Sequence, residues 1–388
     1  MKSLPLLLFP ALLLALSCSS QRGERTREAP DPDRLAAQLD VLETELQAAG
    51  FPRSLTAEGE LHAVPAGDWT SGFYAGTLWY MYEYTGDEKW KERALRYTLD
   101  LEEEQYNTGD HDMGFRMYCS YGNALRLTGE EAHIPVLLQS ARSLITRYDS
   151  TVGCIRSWDF TRGTWQYPVI IDNMMNLELL FWASEQSGDP RFRDIALHHA
   201  RTTLANHFRP DYSSVHVVDY DSLTGAVRQK NTHQGYADGS AWARGQSWGL
   251  YGYTMAYRCT GEEAFLVQAE HIAGYLLGRL PEDEVPYWDY DAPGIPDEPR
   301  DVSAAAILAS ALYELSTFSE NGPTYLRRAD GIMESLERTY ASAPGENRGF
   351  LLGHSVGSKP ENGEVDMPIV YADYYYLEAI LRRKNLSE

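Results

Sequence analysis

The chain has 388 residues, 43% hydrophobic and 12% aromatic, which is ample for a large core in one domain or two. Its formal net charge of −22 comes from acids spread along the whole length, so a polyanion such as nucleic acid is excluded as a natural partner. An anionic substrate would have to be short and gripped by local arginines.

In chain order, the first segment is 1–17, MKSLPLLLFPALLLALS: one lysine, then an apolar run from Leu4 to Leu16 interrupted by Pro5 and Pro10. A membrane-spanning helix needs roughly 20 apolar residues, so this run reads as a signal peptide. Cys18 follows small residues in a pattern that resembles the lipobox of bacterial lipoproteins. The expectation is an exported protein, periplasmic or anchored to a membrane by a lipid on Cys18, with residues 18–32 as a polar tether and 33–388 as a single domain. The three later cysteines, Cys119, Cys154 and Cys259, form no CxxC pair and are odd in number, so no disulfide framework is expected.

Past the tether, Leu35, Leu39, Leu42 and Leu46 recur at helical spacing and stop at Gly50. A junction then repeats with variations: YEYTGDEKW at 82–90, LRLTGEEAH at 125–133, SEQSGDPRF at 184–192 and YRCTGEEAF at 257–265. Glycine ends one helix in the left-handed conformation, and the acidic residues favour the start of the next. Periodicity predicts about twelve helices, near 33–49, 71–84, 88–106, 113–127, 131–148, 172–186, 190–207, 240–258, 262–279, 301–317, 323–341 and 369–384. Long polar and aromatic loops separate them at 149–171, 208–239 and 281–300. The uneven spacing of Gly86, Gly129, Gly188 and Gly261 suits a closed ring of helical hairpins better than an open solenoid.

Four stretches combine polar and aromatic residues at helix starts: DWTSGFYAGTLWYMYEYTG (68–86), GDHDMGFRMYCSYGNA (109–124), YPVIIDNMMNLELLFWAS (167–184) and HQGYADGSAWARGQSWGLYGY (233–253). Aspartate is a favoured N-cap, so Asp112 and Asp172 each have a structural reading beside the catalytic one. The stripes Trp79, Tyr80, Tyr84 and Tyr251, Tyr253, Tyr257 suit core packing. The ten histidines include no HExxH pattern, and neither a metal nor a cofactor is expected. Carboxylates at helix mouths, loop tryptophans (Trp158, Trp165, Trp242, Trp248) and scattered glutamine, histidine and arginine together describe a sugar site.

WTSGF with LWYMYEYTGD, HDMGF, IIDNMMN and SAWARGQSWGLYG resemble, in order and over nearly the whole chain after the tether, the unsaturated glucuronyl hydrolases of glycoside hydrolase family 88. The resemblance implies an all-α (α/α)6 barrel, in agreement with the twelve helices. It also implies a substrate left by polysaccharide lyases, glycosaminoglycan-type above all, whose terminal uronic acid has a C4=C5 double bond. Such enzymes hydrate the double bond in place of displacing at the anomeric carbon. By position, Asp172 matches the proton donor and Asp112 the second essential aspartate, whose charge is expected to help raise the pKa of Asp172. Trp158, His216, Gln234, Trp242, Arg244 and Trp248 match pocket residues: Trp242 and Trp248 to stack on sugar faces, His216 and Gln234 to contact hydroxyls or water, and Arg244 to take the substrate carboxylate, with a structural ion pair as its alternative. In GHSVGSKPENGEVD (353–366), Ser355, Ser358 and Lys359 resemble a sulfate-binding loop, though a solvated glycine-rich loop looks much the same. Two rivals stand beside this reading: an ulvan-fragment or unsaturated rhamnogalacturonyl hydrolase on the same scaffold, and a non-catalytic glycan-binding surface lipoprotein.

Overall fold

The computed structural model describes residues 30–46, 50–159 and 165–387. The predicted signal peptide, Cys18 and nearly all of the predicted tether lie outside the described residues.

Among the described residues, twelve α-helices alternate between an outer and an inner layer. The inner helices are α2 (Ser71–Thr85), α4 (Asn123–Thr128), α6 (Leu177–Ser187), α8 (Ala243–Thr260), α10 (Val302–Leu315) and α12 (Val370–Asn385). Each packs on the next, with the π-helical stretch Gly114–Gly122 that leads into α4 making the contact to α6, and α12 returns to α2, so the ring closes. Their composition explains the placement: α8 is buried without a break from Ala243 to Ala256 and α2 from Ser71 to Met81, as for helices apolar all round. The outer helices are α1 (Pro32–Leu46), α3 (Glu88–Leu99), α5 (His133–Ile145), α7 (Pro190–Asn206), α9 (Glu263–Leu277) and α11 (Gly322–Ser335). These bury one stripe only, as α7 does with Phe192, Ala196, His199, Ala200 and Thr203. The architecture is the expected (α/α)6 barrel.

The recurring junction does what its chemistry requires. Gly86, Gly129, Gly188 and Gly261 have φ between 69° and 72° and end α2, α4, α6 and α8. Open space surrounds each one, so glycine is needed there for its conformation and not for room. Asp87 and Asp189 then cap α3 and α7 by accepting from Lys89 and Arg191 backbone N–H groups, both at 3.0 Å.

Several predicted boundaries move. The helix predicted over 113–127 begins as a π-helical stretch, Gly114–Gly122, before α4. The one predicted from 172 begins with a 3-10 turn, Ile171–Asn176, before α6. The one predicted over 88–106 stops at Leu99, and a 3-10 turn covers Glu102–Tyr106. The predicted loops also hold strands. β1 (Phe51–Leu55) pairs with β2 (Leu61–Val64), and β3 (Tyr148–Asp149) with β4 (Cys154–Ile155). β5 (Tyr167–Ile170), β6 (Val217–Tyr220) and β7 (Val227–Asn231) form one antiparallel sheet, and β8 (Ser355–Ser358) and β9 (Gly363–Met367) a hairpin. Runs of two to five residues carry too little alternation to be told from loop.

Because every inner helix is reached through an outer one, the inner helices share a direction, and their N-termini gather at one mouth of the barrel. The sheets are added around that mouth.

Candidate active site

Trp69, Asp112, Asp172, Arg244 and Tyr371 line one cavity of about 580 Å³, and each lies within two residues of the start of an inner helical element. Unpaired N–H groups at those starts favour an anion in the space between them. A second cavity of similar volume lies at the opposite end of the ring. Its arginines are ion-paired within its own wall, Arg126 with Glu83, Arg258 with Glu178 and Arg382 with Glu314, and neither motif aspartate lines it.

Neither aspartate is a cap. Asp172 is the second residue of its 3-10 turn, where the N-cap position belongs to Ile170, and no side chain caps that turn. Its Oδ2 is buried without a hydrogen-bond partner. Burial pushes the Asp172 carboxyl up to about 7; the positive charge of Arg244, its own backbone N–H and the Trp248 indole pull the other way and lose. The indole N–H faces the carboxyl without completing a hydrogen bond.

Asp112 precedes the π-helical stretch, which also lacks a side-chain cap. Burial, then the charge of Asp110, then that of Asp172 hold its carboxyl well above the ordinary range against the pull of Arg116. Asp110 itself is kept ionised: burial would raise it, but the fully buried Arg116 guanidinium binds it through two nitrogens, at 2.6 and 3.0 Å. For Asp172 burial is the first cause, and the expected charge of Asp112 is not among the causes given above. Both carboxyls are raised, and burial is the first cause for each.

His216 sits beside Asp172 because β5 and β6 pair in register, with the Ile171 N–H donating to the His216 carbonyl at 3.1 Å. Its Nδ1 accepts from the His233 and Gln234 N–H groups at 3.1 and 3.2 Å, which leaves the proton on Nε2, 3.8 Å from Asp172 Oδ2. Burial keeps this imidazole neutral.

Arg244 lines the cavity and is also tied down. Nη1 meets Asp301 Oδ2 at 3.2 Å and the Val356 carbonyl, Nη2 donates to the Gly357 carbonyl at 2.6 Å, and the guanidinium lies between the Trp242 and Tyr371 rings, 4.6 and 5.2 Å away. The structural ion pair expected as the alternative is present, and the side chain also anchors the β8–β9 hairpin; its buried Nε has no partner.

Trp158, Gln234 and Ser358 line the cavity, whereas His216, Trp242, Trp248, Ser355 and Lys359 stand behind or beside its wall. The expected stacking of sugars on Trp242 and Trp248 lacks free faces: Trp242 packs on Arg244 and His216, and the fully buried Trp248 packs on Phe115 and Tyr375. Lys359 turns away to pair with Glu298 over the Trp288 ring, which takes its charge out of the expected sulfate loop. Sequence reading missed Arg53, Trp69, His62, Glu364 and Tyr371. Trp69 and Tyr371 stand at inner-helix starts, as Asp172 does, and that position was the available signal. Arg53 and Glu364 meet across two hairpins at 2.5 Å, a pairing no periodicity discloses.

The sequence profile of Glycosyl Hydrolase Family 88 matches residues 50–271, more than half of the chain. The chain belongs to this family. An unsaturated glucuronyl hydrolase of Formosa agariphila is 46% identical over 386 residues, spanning 96% of this chain and 96% of the relative. An unsaturated chondroitin disaccharide hydrolase of Streptococcus pyogenes serotype M1 is 34% identical over 344 residues, 86% of this chain and 85% of the relative. The crystal structure of an unsaturated glucuronyl hydrolase specific for heparin superposes with a TM-score of 0.88 at 47% identity, covering 92% of this chain and 97% of that one. As a family 88 glycosidase, the chain places its two motif aspartates where six inner helical elements converge.

Proposed function

We propose that this chain hydrates the C4=C5 double bond of the unsaturated uronic acid at the non-reducing end of lyase-generated oligosaccharides, those of glycosaminoglycans above all. The observation that carries the reading is the Asp172 carboxyl: buried, unpartnered at Oδ2, lining the cavity, and shifted to about 7 so that it still holds a proton near neutrality. The double bond is a vinyl ether. Asp172 protonates C4, the positive charge develops at C5, and the ionised Asp172 then takes a proton from the water that adds at C5. The hemiketal opens to a keto acid and releases the remaining sugar.

Each neighbour fits a step. Asp112, whose carboxyl burial holds above the ordinary range, hydrogen-bonds ring hydroxyls. The His216 Nε2–H faces Asp172 and stabilises its carboxylate after proton transfer. Arg244 and the surrounding helix N-termini favour the uronate carboxylate. Relatives named for chondroitin and for heparin support the glycosaminoglycan class.

The test is a panel of lyase-made disaccharides from chondroitin, heparin, hyaluronan, ulvan and pectin, followed by loss of the double-bond absorbance. Turnover of a glycosaminoglycan disaccharide is expected; turnover of ulvan or pectin fragments alone moves the substrate class, and binding without absorbance loss makes the chain a glycan-binding protein. Export with a lipid on Cys18 belongs to the same reading, motivated by the segment 1–20. Fatty-acid labelling of the full chain is expected and should vanish in Cys18→Ala; equal labelling of both would remove the anchor from the proposal.

A further inference from the structure

Asp112 and Asp172 reach the cavity from separate stretches of chain, and proton transfer needs them at one fixed spacing. The two stretches are fastened together by residues that no step above uses. Asn176, the last residue of the 3-10 turn, is fully buried, and its Oδ1 accepts from the Phe115 N–H at 3.1 Å. That N–H is one of the orphan donors at the start of a helix. Gly114 makes the approach possible: a Cβ there would lie 2.7 Å from both Asn176 Cα and Oδ1. Nearer the aspartates, the buried His111 imidazole faces the Asn173 side chain, whose Nδ2 donates to the Ile155 carbonyl at 2.9 Å.

Asn176 is a costly choice for a packed interior. Its Nδ2 is buried without a partner, and an unsatisfied buried donor costs about 1–3 kcal/mol. What the amide supplies at this point is the acceptor. The π-helical winding of Gly114–Gly122 begins at the same contact, and such winding in place of α-helix is frequent at functional sites.

We propose that Asn176, seated against Gly114, is a positioning residue that sets the spacing between Asp112 and Asp172. The inference rests on the hydration reading above. Asn176 touches no substrate in this account; it acts through the two segments that it joins.

Kinetics separate this role from a merely structural one. Asp172 is faced by Asp112 from the stretch before the π-helical turn, by His216 just before β6, and by Arg244 and Trp248 from α8; Asp110 and Arg116 stand behind Asp112. Asn176→Ala removes none of these groups, so a change in the pH profile reports a displaced carboxyl. On the disaccharide that the wild type turns over best, Asn176→Ala should lose about 10- to 100-fold in kcat with KM changed far less, since an ångström of misplacement has that effect. Its alkaline limb should move to lower pH as Asp172 becomes better solvated. Asn176→Asp, which keeps an oxygen opposite the Phe115 N–H, should recover most of the lost kcat. If Asn176→Ala is not obtained folded, Asn176→Ser takes its place with the same expectations. An Asn176→Ala protein that melts earlier yet keeps the wild-type kcat and pH limb would overturn the inference alone. A wild type inactive on every disaccharide would overturn the functional reading, and this inference with it.

Discussion

At the residue scale, the proposed chemistry depends on a carboxyl group that keeps its proton near neutral pH, and burial is what raises it. Asp172 titrates near 7 in the folded chain against an ordinary value of 3.8, so the folded state holds this proton more tightly than the unfolded state does. Two consequences follow from that sign. Proton donation requires the protonated form, so kcat should fall as pH rises through about 7; a profile flat to pH 9 would assign the donor elsewhere. The same group's contribution to stability declines as pH rises from 3.8 toward 7 and is absent above it. Asp172→Asn removes the buried charge, so its melting temperature should exceed that of the wild type at pH 8, and the gap should shrink at pH 5. Its activity should drop by about 100-fold or more, the usual range for loss of a general acid.

At the element scale, helix starts deliver the site. The motif residues Asp112, Asp172 and Arg244 were legible because each opens an inner helical element with a recognisable run, and the caps at Asp87 and Asp189 were legible from local chemistry alone. Arg53 and Glu364 were not, because short hairpins bring them together over more than three hundred residues of chain. Trp242 and Trp248 were legible as site tryptophans, but which way an indole faces depends on tertiary packing that motif spacing does not contain. Two glycines, Gly252 within α8 and Gly261 at its C-terminal end, separate tertiary from local roles. Gly261 has φ of 69° with open space around it, so Gly261→Ala should cost about 1 kcal/mol in urea unfolding and leave kcat unchanged. A Cβ on Gly252 would lie 2.5 Å from the Met174 Cβ, two residues beyond Asp172. Gly252→Ala should therefore lower stability by about 1–3 kcal/mol and lower kcat as well. Equal kinetic behaviour of the two variants would contradict this division.

At the scale of the whole molecule, a ring of inner helices pointing one way turns a surface of net charge −22 into a container for an anion. The outer surface repels an anionic substrate over several ångströms, whereas in the proposed reading helix N-termini and Arg244 attract it at contact. Salt screens the long-range part first, with a Debye length of about 10 Å at 0.1 M. Raising ionic strength from 10 to 100 mM should therefore increase kcat/KM by about twofold, and a decrease would mean that attraction dominates the approach. The central claim is that the double bond is protonated and hydrated before the glycosidic bond parts. It is tested most directly by a single-turnover experiment that follows double-bond absorbance and release of the leaving sugar together. The expected result is bleaching that precedes or coincides with release in the wild type, and neither in a folded Asp172→Asn variant; release that runs ahead of bleaching would contradict the account.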